Sequence, residues 1–394
     1  MTSPTAPMAA GVRGLLDPDD DRADPGIGRQ LSLPELLEAL DRSGLTGRGG
    51  AGFPTSVKVR AVAGDRRRPV IVGNAMEGEP LSFKDAVLLT RNPTAVLDGL
   101  ETLGRAMRCR RAILAVHEDL EASSLTAALR GRRTELARLT GGFVAGQESA
   151  VVAQLNGGPP KPRDQFRRVT EYGVDGRPTL VLNAETLAHL GRIARHGPAW
   201  FRSTGTADDP GTSLVTISGA VHRPGVIETP RGTRLLDAIA PALPIDPVAV
   251  LVGGYHGAWV PAADLEVRLS KSALAPYGAS VGAGVLHVLG ADACPLEIAA
   301  RVVDYLATES ARQCGPCVNG LPHLATAVRR LASGVRDDSL PLEIDRMAHM
   351  VSGRGACAHP DGTARFIGST LTVFHSHVQD HLGGRCPVRR QTRS

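Results

Sequence analysis

Gly47-Arg48-Gly49-Gly50-Ala51-Gly52-Phe53-Pro54-Thr55, followed three residues on by Lys58, is the stretch on which the reading of this sequence turns. Its four glycines let the backbone approach a ligand closely and take positive φ at little cost, while Arg48 and Lys58 bring positive charge to the same place. The ligand that suits such a stretch is a phosphate group. A tight structural connection has the same composition, so the surroundings must decide.

Upstream, Ser32 and Glu35 form a capping box and Leu33, Leu36, Leu37 and Leu40 share one face, which predicts a helix over 33–43 stopped by Gly44. Downstream the sequence is helix-compatible from Thr55, placing Lys58 in a first turn whose N–H groups also favour anions. Pro69 to Gly73 is a β-branched run of the buried-strand kind, ending in Asn74-Ala75-Met76-Glu77-Gly78-Glu79-Pro80. Polar groups at a strand's carboxyl end are where open α/β sheets bind ligands. Glu77 and Glu79 suit ribose or ribityl hydroxyls, and equally a solvated turn. A helix over 94–107, a strand over 112–116 and a helix over 119–129 continue the alternation. A second glycine-rich patch, Gly141 to Ser149, precedes an apolar helix start, and a strand from Thr179 runs into Asn183-Ala184-Glu185-Thr186. Three such ends on successive β/α units would line one crevice.

From Gly211 the pattern changes to short strands, with a Pro224-Gly225 turn and a helix near Leu235 to Ile239. This is a small β-grasp-like module without conspicuous reactive residues, and it reads as an interaction or spacer unit. Pro295 to Thr308 is strongly helical and leads into Glu309-Ser310-Ala311-Arg312-Gln313-Cys314-Gly315-Pro316-Cys317. Helical patterns run on to about Leu382, broken over Ser352 to Thr363, which predicts a helical bundle.

With 394 residues the chain can build two or three domains and a full core without disulfides. A net charge of +5, dispersed arginines and 3% aromatics disfavour nucleic acid as a partner. No run of about 18 apolar residues is present, which argues against direct membrane insertion. The first thirty residues, acidic from Asp17 to Asp21 and without an apolar signal-peptide core, are expected to form a disordered tail of a cytoplasmic protein.

Six cysteines in a reducing compartment point to metal or redox chemistry. Cys314 and Cys317, at C-x-x-C spacing, can aim two thiolates at one metal, and Cys357 sits in a loop that can close on them. An iron–sulfur cluster fits, and so does zinc with His359 as a fourth ligand. A redox dithiol fits less well, because no strand precedes the motif. Cys109, Cys294 and Cys386 have no partner at ligand spacing, and His375, His377 and His381 read as a polar helix face near the terminus.

Taken in order, GRGGAGFPTSVK (47–58), NAMEGEP (74–80), GQES (146–149), NAET (183–186) and ESARQCGPC (309–317) resemble the NADH-oxidising flavoprotein subunit of respiratory complex I, a family that includes the flavin subunits of NAD-linked hydrogenases and formate dehydrogenases. The likeness covers residues 31–385. It implies an α/β fold class with a Rossmann-like FMN-binding domain over 31–205, an SLBB-type β-grasp domain over 206–290 and a C-terminal helical iron–sulfur domain over 291–385, between tails at 1–30 and 386–394. By resemblance Gly47, Arg48, Gly49, Gly50, Lys58, Asn74, Glu77, Gly146, Glu148, Asn183 and Thr186 would hold FMN. Phe53 and Glu79 would face the dinucleotide, NAD(H) or NADP(H), and Cys314, Cys317 and Cys357 would ligate the cluster. Electrons would pass from the nicotinamide through FMN to the cluster, then to a second redox subunit, a ferredoxin-like acceptor or a quinone-reducing complex.

Departures from the family pattern accompany these matches. The family's first cluster cysteine is here Ala311, so the three-cysteine site would hold a [3Fe–4S] cluster or a [4Fe–4S] cluster completed by water, Gln313, Glu309 or a partner's residue, or would be empty or carry zinc. The family's acids at Met76 and Gln147 are absent, and Phe166-Arg167-Arg168-Val169 replaces a proline-rich aromatic segment that packs on the dinucleotide. The more positive pocket suits the 2′-phosphate of NADPH, or the loss of nicotinamide binding altogether. The competing expectation is a redox-inactive scaffold or zinc-binding paralogue that keeps only the fold.

Overall fold

The computed structural model describes residues 14–17, 30–163, 167–242 and 244–388. Two compact units emerge, one built from residues up to Thr216 with Val226–Thr233, the other from Ile217–Gly225 and the chain from Arg234 onward.

The first unit begins with α1 (Leu33–Ser43) and α2 (Thr55–Ala63) and continues through β1 (Val70–Ala75), α3 (Lys84–Arg91), α4 (Pro93–Ala106), β2 (Arg111–His117), α5 (Ser123–Ala128), β3 (Glu135–Leu139), α6 (Glu148–Leu155), β4 (Thr179–Asn183), α7 (Ala184–His196) and α8 (Pro198–Arg202). Glu35 accepts from both the backbone and the hydroxyl of Ser32 at 2.8 Å, and Gly44 takes φ 71, so α1 starts and stops where the sequence predicts. Helix α3 and strand β3 go beyond the sequence expectation. Both are short; the buried face of α3 includes the charged Lys84 and Asp85, and β3 has only one fully buried residue, so neither reads as an apolar element.

The four strands are parallel in the order β3-β2-β1-β4. Side chains alternate between two cores: Ile71, Leu114, Val116, Leu180 and Leu182 face one, while Val70, Val72, Ile113, Ala115 and Val181 face the other. Burial on both faces is why these strands read as continuous apolar runs. The order reverses between β1 and β4, and there Asn74 pairs in register with Asn183. In an open parallel sheet that reversal opens the ligand crevice.

The expected N-terminal tail has an ordered piece. Leu15 and Leu16 are buried in the first core, and the Leu15 carbonyl accepts from Asn92 Nδ2 at 2.9 Å. Two adjacent leucines after proline-rich sequence give no periodic signal. Residues 1–13, 18–29 and 389–394 lie outside the described residues.

β5 (Thr212–Gly219) and β6 (Gly225–Pro230) follow, then α9 (Leu235–Ile239), β7 (Pro247–Val252), β8 (Ala258–Pro261), α10 (Lys271–Leu274) and β9 (Val285–Gly290). In the second unit β7 runs antiparallel to β8 and β9. The helices are α11 (Pro295–Thr308), α12 (Leu321–Ala332), α13 (Leu340–Val351), α14 (His359–Val373) and α15 (His375–Leu382). Trp259 of β8 is fully buried and its Nε1 donates to Thr370 of α14 at 3.1 Å, so this sheet and the helices share one core. No described helix is long and apolar enough to cross a membrane.

Helices α4 and α7 touch through glycines: a Cβ on Gly99 would lie 1.9 Å from the Leu187 carbonyl oxygen. Alanine in a helix interior ordinarily stabilises by about 1 kcal/mol over glycine. Gly99→Ala is expected to do the reverse, lowering stability by about 2 kcal/mol through overpacking, read as a lower urea midpoint at unchanged slope.

Candidate functional site

The glycine loop is pinched off between α1 and α2. Gly47 N–H donates to the Phe53 carbonyl at 2.8 Å and Thr55 N–H to that of Leu45 at 3.0 Å, while Gly50 and Gly52 take φ +112 and +59. A Cβ on Gly49 would stand 3.1 Å from the Asn183 Cβ. The loop therefore lies against the carboxyl end of β4, at the point where the strand order reverses.

Arg48 departs from expectation. Its guanidinium does not offer charge to a ligand: it is buried, with Nε donating to the Thr212 carbonyl at 3.2 Å, Nη2 to that of Pro210 at 3.2 Å and Nη1 to Thr46 at 3.1 and 2.8 Å. Burial, with Arg231 nearby, lowers its pKa to about 10. Its backbone N–H donates to Thr186 Oγ1 at 2.9 Å, so Thr186 also faces the loop's underside. Lys58 behaves otherwise. Its ammonium is partly exposed, ion-paired to Glu148 and donating to the Val181 carbonyl at 2.8 Å, so α2, α6 and β4 bring one cation and one carboxylate to the same edge.

Asn74, at the end of β1, donates to the Gly146 carbonyl at 2.9 Å and accepts from Met76 N–H at 3.0 Å. The segment 142–147 lies against 76–78 so closely that a Cβ on Gly146 would be 2.3 Å from the Met76 carbonyl oxygen, and one on Gly78 2.4 Å from that of Phe143. Both glycines are thus required by backbone approach. Glu77 accepts from the N–H groups of Asp85 and Ala86 at 3.3 Å, satisfying the start of α3; burial and the Asp85 carboxylate push its pKa up against the pull of Lys84. Glu79 accepts from Leu81 N–H at 3.2 Å. Phe53 is 52% exposed beside the loop, an aromatic face available for stacking.

The sequence reading missed a polar hub beneath these groups. Lys84 is 3% exposed, and its ammonium lies 2.8 Å from Asp85, 2.9 Å from Glu185 and 3.3 Å from Asn183 Oδ1. Asn183 Nδ2 donates to Asp85 at 2.6 Å, and the second Glu185 oxygen accepts from Leu214 N–H at 2.9 Å. Burial alone would depress the lysine, but the Asp85, Glu185 and Glu77 carboxylates outweigh it and hold the pKa above its ordinary value. Lys84 and Asp85 occupy a stretch that looks like a solvated helix start, and their burial has no local signal. His189, buried nearby, is held neutral: burial and then Arg48 drive its pKa well below the ordinary range.

In the second unit Cys314, Cys317 and Cys357 come together at the foot of α12 and the start of α14. Burial would raise the Cys314 thiol, but hydrogen bonds from the backbone of Ala356 and Cys317 and from the Cys317 thiol carry it below its ordinary value. Burial, Cys314 and Cys357 push Cys317 up to about 12, against a backbone bond from Arg312, and burial raises Cys357 against one from His359. Backbone N–H groups aimed at thiol sulfurs are the surroundings of iron–sulfur ligands. His359 donates or accepts elsewhere, with Nε2 2.8 Å from the Leu306 carbonyl and Nδ1 3.1 Å from His256. Ala311 is buried; Gln313 is exposed and Glu309 half-buried.

Comparison with known proteins matches these regions to three family descriptions: the Nuo51 FMN-binding domain over residues 40–192, the SLBB domain over 214–242, and the NADH-ubiquinone oxidoreductase-F iron–sulfur binding region over 297–381. The second NADH-quinone oxidoreductase F subunit of Rhizobium meliloti (strain 1021) is 30% identical over 379 residues, covering 90% of each chain. The chain belongs to the family of NADH-quinone oxidoreductase F subunits. NADP-reducing hydrogenase subunit HndC of Solidesulfovibrio fructosivorans is 27% identical, covering 95% of this chain and 83% of that one. Among solved structures, the air-oxidised NAD+-reducing [NiFe]-hydrogenase superposes with a TM-score of 0.82 at 30% identity; the match covers 89% of this chain and 63% of that longer one. The family is one of NADH-binding FMN and iron–sulfur oxidoreductase subunits that pass electrons to partners.

Within the F-type flavoproteins the structure accounts for some departures of this chain. Gln147 caps α6, its Oε1 accepting from the N–H groups of Ser149 and Ala150 at 2.7 and 3.3 Å, which an amide does as well as a carboxylate. Met76 is buried in the second core. The Arg167 guanidinium lies 5.4 Å over the Tyr172 ring, while Phe166 lies outside the described residues.

Lys84→Met leaves Asp85 and Glu185 buried without their cation, and should cost about 3–5 kcal/mol in the first unit, measured by chemical denaturation. A second expectation concerns pH. His189 has a folded pKa below its unfolded value, so the unfolded chain binds the extra proton; the associated stability is complete above about pH 6.5 and is lost as pH falls below it. His189→Gln should therefore flatten the fall in unfolding free energy between pH 7 and 5, by up to about 1.4 kcal/mol per pH unit, measured by chemical denaturation at each pH.

Proposed function

We propose that this chain is the electron-entry subunit of a redox complex, oxidising NAD(P)H at a site over β1 and β4 and delivering electrons through its cysteine-rich helical region to a partner redox protein. The observation that carries the reading is the in-register pair Asn74 and Asn183 at the strand-order reversal, with the glycine loop closed over them. The proposed segments are 31–205 for the flavin, 206–290 for the SLBB module and 291–385 for the cluster. When bound, FMN takes two electrons from a nicotinamide as hydride and releases them singly to an iron–sulfur cluster.

The residues divide the labour by position. Gly47, Gly49 and Gly50 give backbone approach, Lys58 and Glu148 supply a partly exposed cation and acceptor, and Asn74 and Gly146 shape the floor. Arg48, Glu77, Asn183 and Thr186 act by holding that floor and loop in place, since their side chains are already engaged. Phe53, exposed, and Glu79 would face the dinucleotide, the one by stacking and the other by hydrogen bonding. Cys314, Cys317 and Cys357 hold a [3Fe–4S] cluster or a [4Fe–4S] cluster with a non-cysteine fourth ligand. The acceptor is a second redox subunit or a ferredoxin-like protein, and a cytoplasmic location belongs to the same reading. The buried Ala311 favours a second reading, a scaffold without electron transfer or with zinc at these cysteines.

Protein purified anaerobically should contain about one FMN and about three to four irons per chain, with flavin and charge-transfer absorption bleached by NADH or NADPH. Colourless protein lacking both would sink the redox reading. Gly49→Val, whose Cβ meets Asn183, should lose the flavin and keep the iron; equal flavin content in that variant would make the loop purely structural.

A further inference from the structure

Among the described residues, three ligand atoms that lie within 4.8 Å of one another belong to Cys294, His381 and Cys386, none of them a member of the cysteine triad. Nothing in the sequence draws them together. Cys294 is the residue before α11, at the start of the helical region, and His381 lies 87 residues later in the last turn of α15. After that turn Gly384 takes φ +74, its N–H donates to the His381 carbonyl at 2.9 Å and Arg385 N–H donates to that of Asp380 at 3.0 Å. This Schellman turn reverses the chain and returns Cys386 to His381.

The histidine is set as a ligand. Its Nδ1 lies 3.3 Å from the Leu331 carbonyl oxygen, which fixes the proton there and leaves the Nε2 lone pair facing the thiols, with Cys294 Sγ at 3.4 Å. Histidines that bind metals have this outer carbonyl partner. Cys294 and His381 are 6% and 1% exposed, whereas Cys386 is half-buried, so the site is walled on the protein side and open at one edge. Two thiols and an imidazole at this spacing form a borderline-soft donor set of the kind zinc selects, with a fourth position left over.

We propose that Cys294, His381 and Cys386 bind a zinc ion through two thiolates and Nε2, with solvent completing the tetrahedron. Binding releases the two thiol protons and changes no oxidation state, so this ion stands outside the electron path. Its consequence is to tie the start of α11 to the end of α15.

Zinc and iron are measured on full-length protein purified anaerobically with reductant, in the wild type, Cys386→Ser, Cys294→Ser and Cys357→Ser. The wild type should hold about one zinc per chain. Both Cys386→Ser and Cys294→Ser should lose it, while Cys357→Ser loses iron and keeps zinc. Because Cys294 is buried, Cys386→Ser with unchanged circular dichroism is the deciding variant. Cobalt(II) added to zinc-depleted wild type should give thiolate charge-transfer and tetrahedral d–d bands that Cys386→Ser lacks. Zinc retained in Cys386→Ser, zinc lost with the iron in Cys357→Ser, no uptake of either metal by the wild type, or a Cys294–Cys386 disulfide mapped in the reduced protein would each overturn the proposal.

Discussion

A lysine ammonium sealed from water sets the geometry of the flavin-side unit. Lys84 cannot shed its charge among Asp85, Glu185 and Glu77, and it cannot reach solvent, so its partners must stay within hydrogen-bond reach. Those partners come from α3, the end of β4 and α7, and Glu185 extends the tie to β5 through Leu214. A buried ion pair of this kind contributes little net stability compared with apolar packing. It contributes placement. Both ends of the Asn183 amide are occupied by this network, which leaves its Cβ as a fixed surface against the glycine loop.

The second unit works with softer interactions. Its helices are amphipathic and share a core with a small antiparallel sheet through Trp259, while Cys314, Cys317 and Cys357 sit at helix ends, where backbone N–H groups are free to point at sulfur. Ala311, the position three residues before Cys314, carries a small side chain that is buried in the same turn. The left-handed conformation of Arg312, φ +55, belongs to the same turn.

Much of the fold is legible in the sequence because it is written in local terms. The capping box at Ser32, the glycine stop at 44, the β-branched run before Asn74 and the helix from Pro295 each depend on residues within one turn or strand of one another. The crevice is legible for the same reason where a polar segment directly follows a readable strand, as at Asn74 and Asn183. What escapes is whatever depends on distant residues. The burial of Lys84, the inward turn of Arg48, the seating of Leu15 and Leu16 and the meeting of Cys294 with Cys386 are settled by tertiary neighbours that no window of sequence contains. Charge at Arg48 is the instructive case, because composition alone assigns it to a ligand.

That arginine also bears on how relatives of this chain diverge. Its fork reaches the carbonyls of Thr46, Pro210 and Thr212 in three directions, a pattern that a lysine's single ammonium on a flexible stem does not reproduce. An arginine retained here across descendants that have exchanged electron donors would record an architectural debt, inherited with the loop's anchorage. Drift in cofactor preference would then be written in the loop's outer face, and the anchor would stay silent about it.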